Sequence, residues 1–448
     1  MAGCQTAPDY QVPATPQPAA FKEVEGWSPA APADALDRGP WWTLFNDPVL
    51  SELAGQVALS NQNVAAAVAA YAQARALVAQ QRASLFPSVT LDGGGNRSGG
   101  DSANAGASRS SYRLDLGVSW EPDVFGRLRS AVSGATANAQ ASSADLASST
   151  LAAQGELVAN YFVVRQLDAQ RALLATTIEG FERVLQITRN RYAAGIVARS
   201  DVLQAETQLA NARSDELDLG RQRAQFEHAI AILLGKAPAE FSLAAAPWRS
   251  DVPEIPAMVP SVLLQRRPDI AAAERRVAAA NAQIGVARAA YYPNVGLSAA
   301  YGTGGTRVSD LFSVSTAVWS FGLSAAQTLF NAGATRAGVA GAEAGQQEAA
   351  ARYRQTVLNA FGDVENQLAA ARVLAQQQVL REQASRAADQ VEQQFLNRYT
   401  AGQVNYTEVV QAQATALSAR RALVQVQSDR QSTAVALIQA LGGGWRAQ

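Results

Sequence analysis

From Tyr112 to Glu121 apolar and polar residues alternate without a break. Tyr112, Leu114, Leu116, Val118 and Trp120 share one side, and Arg113, Asp115, Gly117, Ser119 and Glu121 the other. This is the two-residue period of a strand with one apolar and one polar face, at about the ten-residue length of a membrane-barrel strand. A strand of a water-soluble sandwich follows the same pattern. Upstream, Pro87-Ser-Val-Thr-Leu-Asp92 alternates at Val89 and Leu91, and the Gly/Ser/Asn stretch from Gly93 to Ser111 reads as the loop of a hairpin over about 86–124. The unit returns about 206 residues later, where Ala289-Ala-Tyr-Tyr-Pro293-Asn-Val295 echoes Ala83-Ser-Leu-Phe-Pro87-Ser-Val89. Val295, Leu297, Ala299 and Tyr301 alternate, a Gly-Thr loop follows, and Ala317, Trp319, Phe321, Leu323 and Ala325 alternate again, so a second hairpin is expected over about 292–330.

Each hairpin is followed by a long segment almost free of Pro and rich in Ala, Gln, Leu and Glu, from Leu128 to about Ala194 and from about Gly333 to Thr400. These are strong helix formers, and nearly 70 residues at 1.5 Å each make a helix about 100 Å long. After Gly195 and Gly402 the chain meets Ser200-Asp201 and Thr407-Glu408, which read as helix starts, and a second helix runs back toward Gly235 and Gly442. Arg191-Tyr192-Ala-Ala-Gly195 matches Arg398-Tyr399-Thr-Ala-Gly402, and roughly ten of 23 paired positions counted from these arginines are identical. The chain is therefore a tandem duplication with a period near 207. It divides into an extended N-terminal segment (1–40), a first repeat (41–240, helical hairpin about 128–235) and a second repeat (241–448, helical hairpin about 333–442). Abundant Ala lets such helices approach closely, as in coiled coils.

Two hairpins supply four strands, whereas a membrane barrel needs at least about eight with no open edge. Several chains must then contribute; three would give twelve strands and twelve helical passes. With Arg113, Asp115, Ser119 and Glu121 turned inward, the strand section would hold water. No run of about 18 apolar residues suggests a transmembrane helix, since the nearest, Val64 to Ala79, is broken by Gln73 and Arg75.

Composition narrows the chemistry. Among 448 residues, 37 Lys and Arg face 38 Asp and Glu, for a net charge of -1 with no basic cluster, which argues against nucleic acid as partner. Only 17% of residues are charged, against about 25% in an ordinary soluble domain, which makes the surface polar but weakly charged. His228 is the only imidazole and Cys4 the only thiol, so multi-His or multi-Cys metal sites are absent and no metal is expected. Phosphate-binding Gly motifs and the GxSxG nucleophile motif are absent too, and the pattern points to no enzyme. Met1-Ala2-Gly3-Cys4 resembles the end of a bacterial lipoprotein signal lacking its apolar leader, and the Pro-rich residues after it cannot bury a free thiol easily. A lipid-bearing Cys4 is expected, with no other cofactor.

Taken together these features resemble a TolC-like outer membrane factor of the lipoprotein (NodT-type) branch, the outer-membrane channel of RND-type tripartite efflux systems. The resemblance rests on Ala2-Gly3-Cys4 with Pro8-Asp9-Tyr10, Trp41-Trp42-Thr-Leu-Phe45-Asn-Asp47-Pro48-Val-Leu50, Leu264-Gln-Arg266-Arg267-Pro268-Asp269-Ile270, and the terminal Ala440-Leu-Gly-Gly-Gly-Trp445. It implies an α+β membrane protein, a homotrimer whose twelve-stranded β-barrel in the outer membrane continues as a periplasmic α-helical barrel. It also implies acylation of Cys4, as with palmitate, and a leader lost from this version of the sequence. The implied partners are outer-membrane lipid, a periplasmic adaptor and an inner-membrane RND-type transporter, and the implied role is a passive gated exit duct for small molecules such as drugs.

By the same resemblance the hairpin turns meet the adaptor, which makes Arg191, Tyr192, Gly195, Arg398, Tyr399 and Gly402 contact residues. The glycines alternatively do no more than terminate helices. A Tyr399 to Asp201 hydrogen bond would close the tip, with Val404 standing where some relatives carry a supporting Arg. Glu408, Val409, Val410 and Gln411 would line a constriction, although Gln411 stands where many members have Asp. Three Glu408 carboxylates would attract cations there; alternatively Glu408 caps a helix start. The competing reading of the whole chain is a lipid-tethered structural or adaptor coiled coil without a pore.

Overall fold

A computed structural model of the protein describes residues 6–16, 18–23, 40–99, 109–253 and 267–443. Cys4, Leu264 to Arg266 and Trp445 lie outside these residues. Seven α-helices and four strands are present among the described residues: α1 (Pro48–Ser60), α2 (Gln62–Ala83), β1 (Ser88–Ser98), β2 (Arg109–Trp120), α3 (Arg127–Ala193), α4 (Arg199–Leu233), α5 (Pro268–Ala289), β3 (Asn294–Gly305), β4 (Ala317–Ala326), α6 (Ala334–Thr400) and α7 (Tyr406–Ala440). Helices α3 and α6 have 67 residues each, and α4 and α7 have 35 each. The chain folds into two compact units, each assembled from parts of both repeats.

The first unit carries the sheet, an antiparallel meander in the order β1-β2-β3-β4. Its register pairs Leu91 with Leu116, Leu116 with Tyr301, and Tyr301 with Trp319, so the apolar residues of all four strands fall on one face. Val89, Leu91, Tyr301, Trp319, Phe321 and Leu323 on that face are all exposed. The opposite face carries Arg113 and Asp115, joined by a 2.7 Å ion pair, and Ser119, whose hydroxyl lies 2.7 Å from that of Ser88. Glu121, expected on the same face, lies beyond the end of β2 and instead accepts a 2.6 Å bond from Arg127 at the start of α3.

The glycine runs expected as loops are strand. Gly93 to Gly95 pair with Leu114 to Tyr112, and Gly302 to Gly305 pair with Asp115 to Tyr112. Missing side chains explain both. The Tyr112 ring lies 3.2 Å from where a Cβ of Gly95 would stand, and a Cβ at Gly302 would strike the Asp115 carboxylate. Glycine here marks close approach within a strand and not a turn.

Also in this unit, the N-terminal segment lies against α3 and α5. The Thr6 hydroxyl is 3.1 Å from the Phe125 carbonyl and 3.0 Å from that of Gly285, Asn281 donates to the Pro8 carbonyl at 2.9 Å, and the Tyr10 hydroxyl bonds Glu274. Gly285 has no Cβ because Ala7 and Ser130 occupy the space.

The second unit contains the greater part of the helical hairpins, including their tips. Leu167, Leu174, Phe181 and Thr188 follow one another at seven-residue spacing on α3, and all four are buried. This is the seam of a coiled coil. It packs with Val202, Leu209, Leu219, Tyr399, Tyr406 and Val409. All four helices of the hairpins end on a positive-φ glycine: Gly195 (φ 70°), Gly235 (66°), Gly402 (77°) and Gly442 (87°). At the first tip Ile196 N–H donates to the Arg191 carbonyl and Gly195 N–H to that of Tyr192, each at 2.9 Å, and the second tip repeats both bonds 207 residues on. This is the Schellman arrangement, which needs a left-handed residue where glycine costs least.

Two motifs singled out in the sequence find structural roles here. Asp47 caps α1 by accepting from Val49 and Leu50 N–H, while its other oxygen accepts the Tyr161 hydroxyl at 2.6 Å. Arg267 grips Asp269 at 2.7 Å and reaches Asp363 and the Ala440 carbonyl. A charge cluster of buried Arg165 and Asp168 with partly buried Arg223 and Glu227 holds the extended segment after α4 through the backbone of Leu243 and Ala244. Helices α1, α2 and α5 have no counterpart in the sequence reading.

Candidate functional site

The tips of the two hairpins lie in the second unit, and their chemistry converges on Tyr399 in the last turn of α6. The chain puts an aromatic residue where the coiled-coil seam closes, and the ring is 1% exposed. Its hydroxyl lies 3.0 Å from Thr188 Oγ1. Because the single Thr188 proton is directed at the Val184 carbonyl, 2.9 Å away, Tyr399 is the donor. The Arg191 guanidinium stands 4.6 Å from the Tyr399 ring centroid and also donates to the Thr400 carbonyl at 3.0 Å. Cation–π attraction and a charge-assisted bond thus fix one arginine across the two hairpins. The Tyr406 ring closes the other side at 5.7 Å. Burial, with the neighbouring Tyr399 and Asp201 adding to it, pushes the Tyr406 hydroxyl up to about 12.

Several expected site residues are placed differently. Tyr399 bonds Thr188 and not Asp201, because its side chain faces α3; Asp201 sits in the first turn of α4, where its charge reaches Tyr406. Val409 is fully buried in the core, and Val410 packs against the same cluster, so Val409 lines nothing. Glu408 and Gln411 are exposed. Glu408 forms a capping box: its N–H donates to Asn405 Oδ1 at 3.1 Å, and Asn405 N–H donates to its Oε2 at 3.2 Å. Helix α7 accordingly starts at Tyr406, capped by Asn405, one residue before the expected Thr407.

Among the residues expected to face an adaptor, Tyr192, Gly195, Arg398 and Gly402 are exposed, whereas Tyr399 is buried and Arg191 is committed to it. The sequence reading missed Thr188 and Tyr406. It also missed a brace that the duplication repeats: Arg213 pairs with Glu182 at 2.6 Å in one hairpin, and Arg420, 207 positions on, pairs with Asp389 at 2.7 Å in the other.

A sheet with one exposed apolar face, followed in each repeat by a helical hairpin of these lengths, can be compared with known proteins. The family model described as outer membrane efflux protein matches residues 53–236 and 259–443, one segment on each repeat. The chain belongs to the outer membrane efflux protein family. It is 33% identical, over 100% of its length and 94% of the relative's, to the probable efflux pump outer membrane protein TtgC of Pseudomonas putida. The structure of the outer-membrane channel OprN superposes with a TM-score of 0.88 at 31% identity, covering 99% of this chain and 100% of that one. The Neisseria gonorrhoeae MtrE outer membrane channel, solved in its open state, gives 0.87 at 29% identity, with 99% of each chain covered.

Membership settles the choice between the two readings of the sequence. The outer membrane efflux protein described here is the exit duct of an efflux pump, not a pore-free coiled coil. It resides in the outer membrane, with its helical part in the periplasm. Its named relatives are efflux channel proteins.

Proposed function

We propose that three copies of this chain form a passive, gated duct that carries small molecules such as drugs from an inner-membrane transporter and a periplasmic adaptor to the outside. One observation carries the need for several copies. The sheet pairs β1 and β4 on one side only, leaving two open edges beside an exposed apolar face. In lipid an unpaired strand edge costs several kcal/mol per backbone group, so the sheet must close with others like it. Three copies give twelve strands, within the range of membrane barrels. Arg113, Asp115 and Ser119 then line the water-filled interior.

Tyr192, Gly195, Arg398 and Gly402 are the exposed tip residues available to an adaptor. Nothing in the sequence supplies an energy source, so opening is selected by the partner complex. A lipid on Cys4 fits the placement of Thr6, which docks at Phe125 and Gly285 beside the helix-side end of the strands.

The test is the mass of the detergent-purified protein together with its conductance in planar bilayers. A trimer that conducts supports the duct. A monomer that never conducts overturns it. Intact-mass measurement of the N-terminal peptide tests the lipid separately.

A further inference from the structure

The four helices that enter or leave the sheet each carry an arginine in the turn nearest the strands. Arg82 stands in the last turn of α2 and Arg288 in that of α5, while Arg129 and Arg336 lie in the first turns of α3 and α6. The duplication relates Arg82 to Arg288 and Arg129 to Arg336. Only one member of each pair has a carboxylate beside it. Arg288 pairs with Glu343 at 2.7 Å and Arg129 with Asp123 at 3.0 Å. The first repeat has Thr136 in the place of Glu343, and the second has Phe330 in the place of Asp123. Arg82 and Arg336 are therefore exposed and form no ion pair among the described residues.

Apolar side chains surround these two arginines in sequence. Leu329 and Phe330, in the link from β4 to α6, are 90% and 87% exposed, and Phe86, in the link from α2 to β1, is 68% exposed. Tyr292, the equivalent of Phe86, stacks on Phe125 at 4.9 Å, whereas Phe86 has no ring partner among the described residues. Phe86 comes just before β1 and Leu329 just after β4, so the exposed apolar face that carries Phe321 and Leu323 is extended toward the helices at both edges of the sheet. The unpaired arginines follow directly. Rings at the rim of an apolar band, with a long cationic side chain just beyond, mark the depth of lipid headgroups.

We propose that Arg82 and Arg336 hold the phosphate of an anionic phospholipid of the periplasmic leaflet, whose acyl chains lie along Phe86, Leu329 and Phe330. The assignment rests on the multi-chain duct proposed above, because α2 leads into β1 and α6 leaves β4, the two open edges of the sheet. When those edges join, Arg336 of one copy comes beside Arg82 of the next. No Asp or Glu occurs from residue 53 to 91 or from 311 to 342, so the links and helix ends that meet there bring two cations and no carboxylate of their own. A phosphate supplies the missing charge, and guanidinium groups bind it with two parallel N–H bonds. The exposed rings select an anion that carries acyl chains over one dissolved in water. A lipid thus does at the edges of the sheet what Asp123 and Glu343 do at its centre.

Native mass spectrometry of the detergent-purified protein, with phosphatidylglycerol or phosphatidylcholine added, tests this. The oligomer is expected to retain phosphatidylglycerol in preference to phosphatidylcholine, whose headgroup has no net charge. Arg82→Ala/Arg336→Ala is expected to lose that preference. Arg381→Ala/Arg386→Ala, which removes two exposed arginines farther along α6, is expected to keep it. Leu329→Ser/Phe330→Ser is expected to weaken retention of both lipids. Equal retention of the two lipids by the unaltered oligomer would overturn the site without recourse to any variant, as would a preference that survives in assembled Arg82→Ala/Arg336→Ala protein; the duct would stand in either case. Displacement of phosphatidylglycerol by an equal concentration of soluble glycerol phosphate would show an anion site indifferent to acyl chains and overturn the lipid. A single-chain native mass would overturn the duct itself.

Discussion

Thr188 Oγ1 and the Tyr399 hydroxyl lie 3.0 Å apart in a region closed to water, joining residues 211 positions apart in sequence. Tyr399 donates and Thr188 accepts, so the two sides of the bond are not equivalent. Tyr399→Phe removes the donor and leaves Thr188 still bonded to Val184, a loss of about 1 kcal/mol. Thr188→Val strands a buried phenol and should cost more, about 1–3 kcal/mol. The double variant is expected to recover much of the Thr188→Val loss. Guanidinium unfolding of the three variants, followed by circular dichroism, checks the order.

Alkaline pH should weaken the same region. Folding holds the Tyr406 hydroxyl up to about 12, against about 10 for an exposed phenol. The contribution is fully present below pH 10 and is lost as pH rises toward 12, because the unfolded chain releases its proton first. The unfolding midpoint is expected to fall across that window, with a shallower slope in Tyr406→Phe. Tyr161, likewise held up to about 12 by burial and its bond to Asp47, adds to the slope and should persist in that variant.

Glycines separate into two kinds with different penalties. A Cβ at Gly195 or Gly402 meets no atom within 4 Å, so alanine there costs only the left-handed conformation, about 1 kcal/mol. Alanine at Gly302 collides with Asp115 and should displace the Arg113–Asp115 pair from its register. Gly94→Ala, on the same face with open space around it, should be tolerated. The fraction of assembled oligomer on semi-native gels distinguishes Gly302→Ala from Gly94→Ala.

Arg223 joins Asp168, Glu227 and the Leu243 carbonyl in a cluster where Asp168 is buried and Arg223 and Glu227 are mostly covered. Arg223→Met leaves Glu227 without its cation and should destabilise the second unit by about 3 kcal/mol. It should also loosen the segment following Phe241, read as new protease cleavage within 242–250. Unchanged cleavage would show that Arg165 and Gln431 hold that segment unaided.

The parts of this fold legible in the sequence are those written in local periodicity. Alternation from Tyr112 to Trp120 marks a strand wherever it is placed, and a Pro-free run ending at Gly195 marks a helix and its stop. What the sequence reading missed depends on neighbours far along the chain. Arg191-Tyr192 and Arg398-Tyr399 are locally the same, yet one tyrosine is exposed and the other buried, because only Tyr399 meets Thr188. Glycine misled in the strands, since Gly95 and Gly302 read as turn residues until Tyr112 and Asp115 are seen beside them. Start signals do stand in the sequence for α1, where Asp47 caps the helix before Pro48, and for α5, which opens on Pro268-Asp269, but both are short and neither precedes a strong apolar period.

The open edges of β1 and β4 also bear on how the protein is made. A lone chain can neither leave those backbone groups bare in lipid nor satisfy them by folding on itself, so it has no stable residence in the membrane before meeting its copies. Entry into the bilayer and encounter between chains must then be one event. Synthesis beyond the supply of escorting factors would strand half-built sheets in the periplasm, where the exposed band of Trp319, Phe321 and Leu323 makes them adhesive.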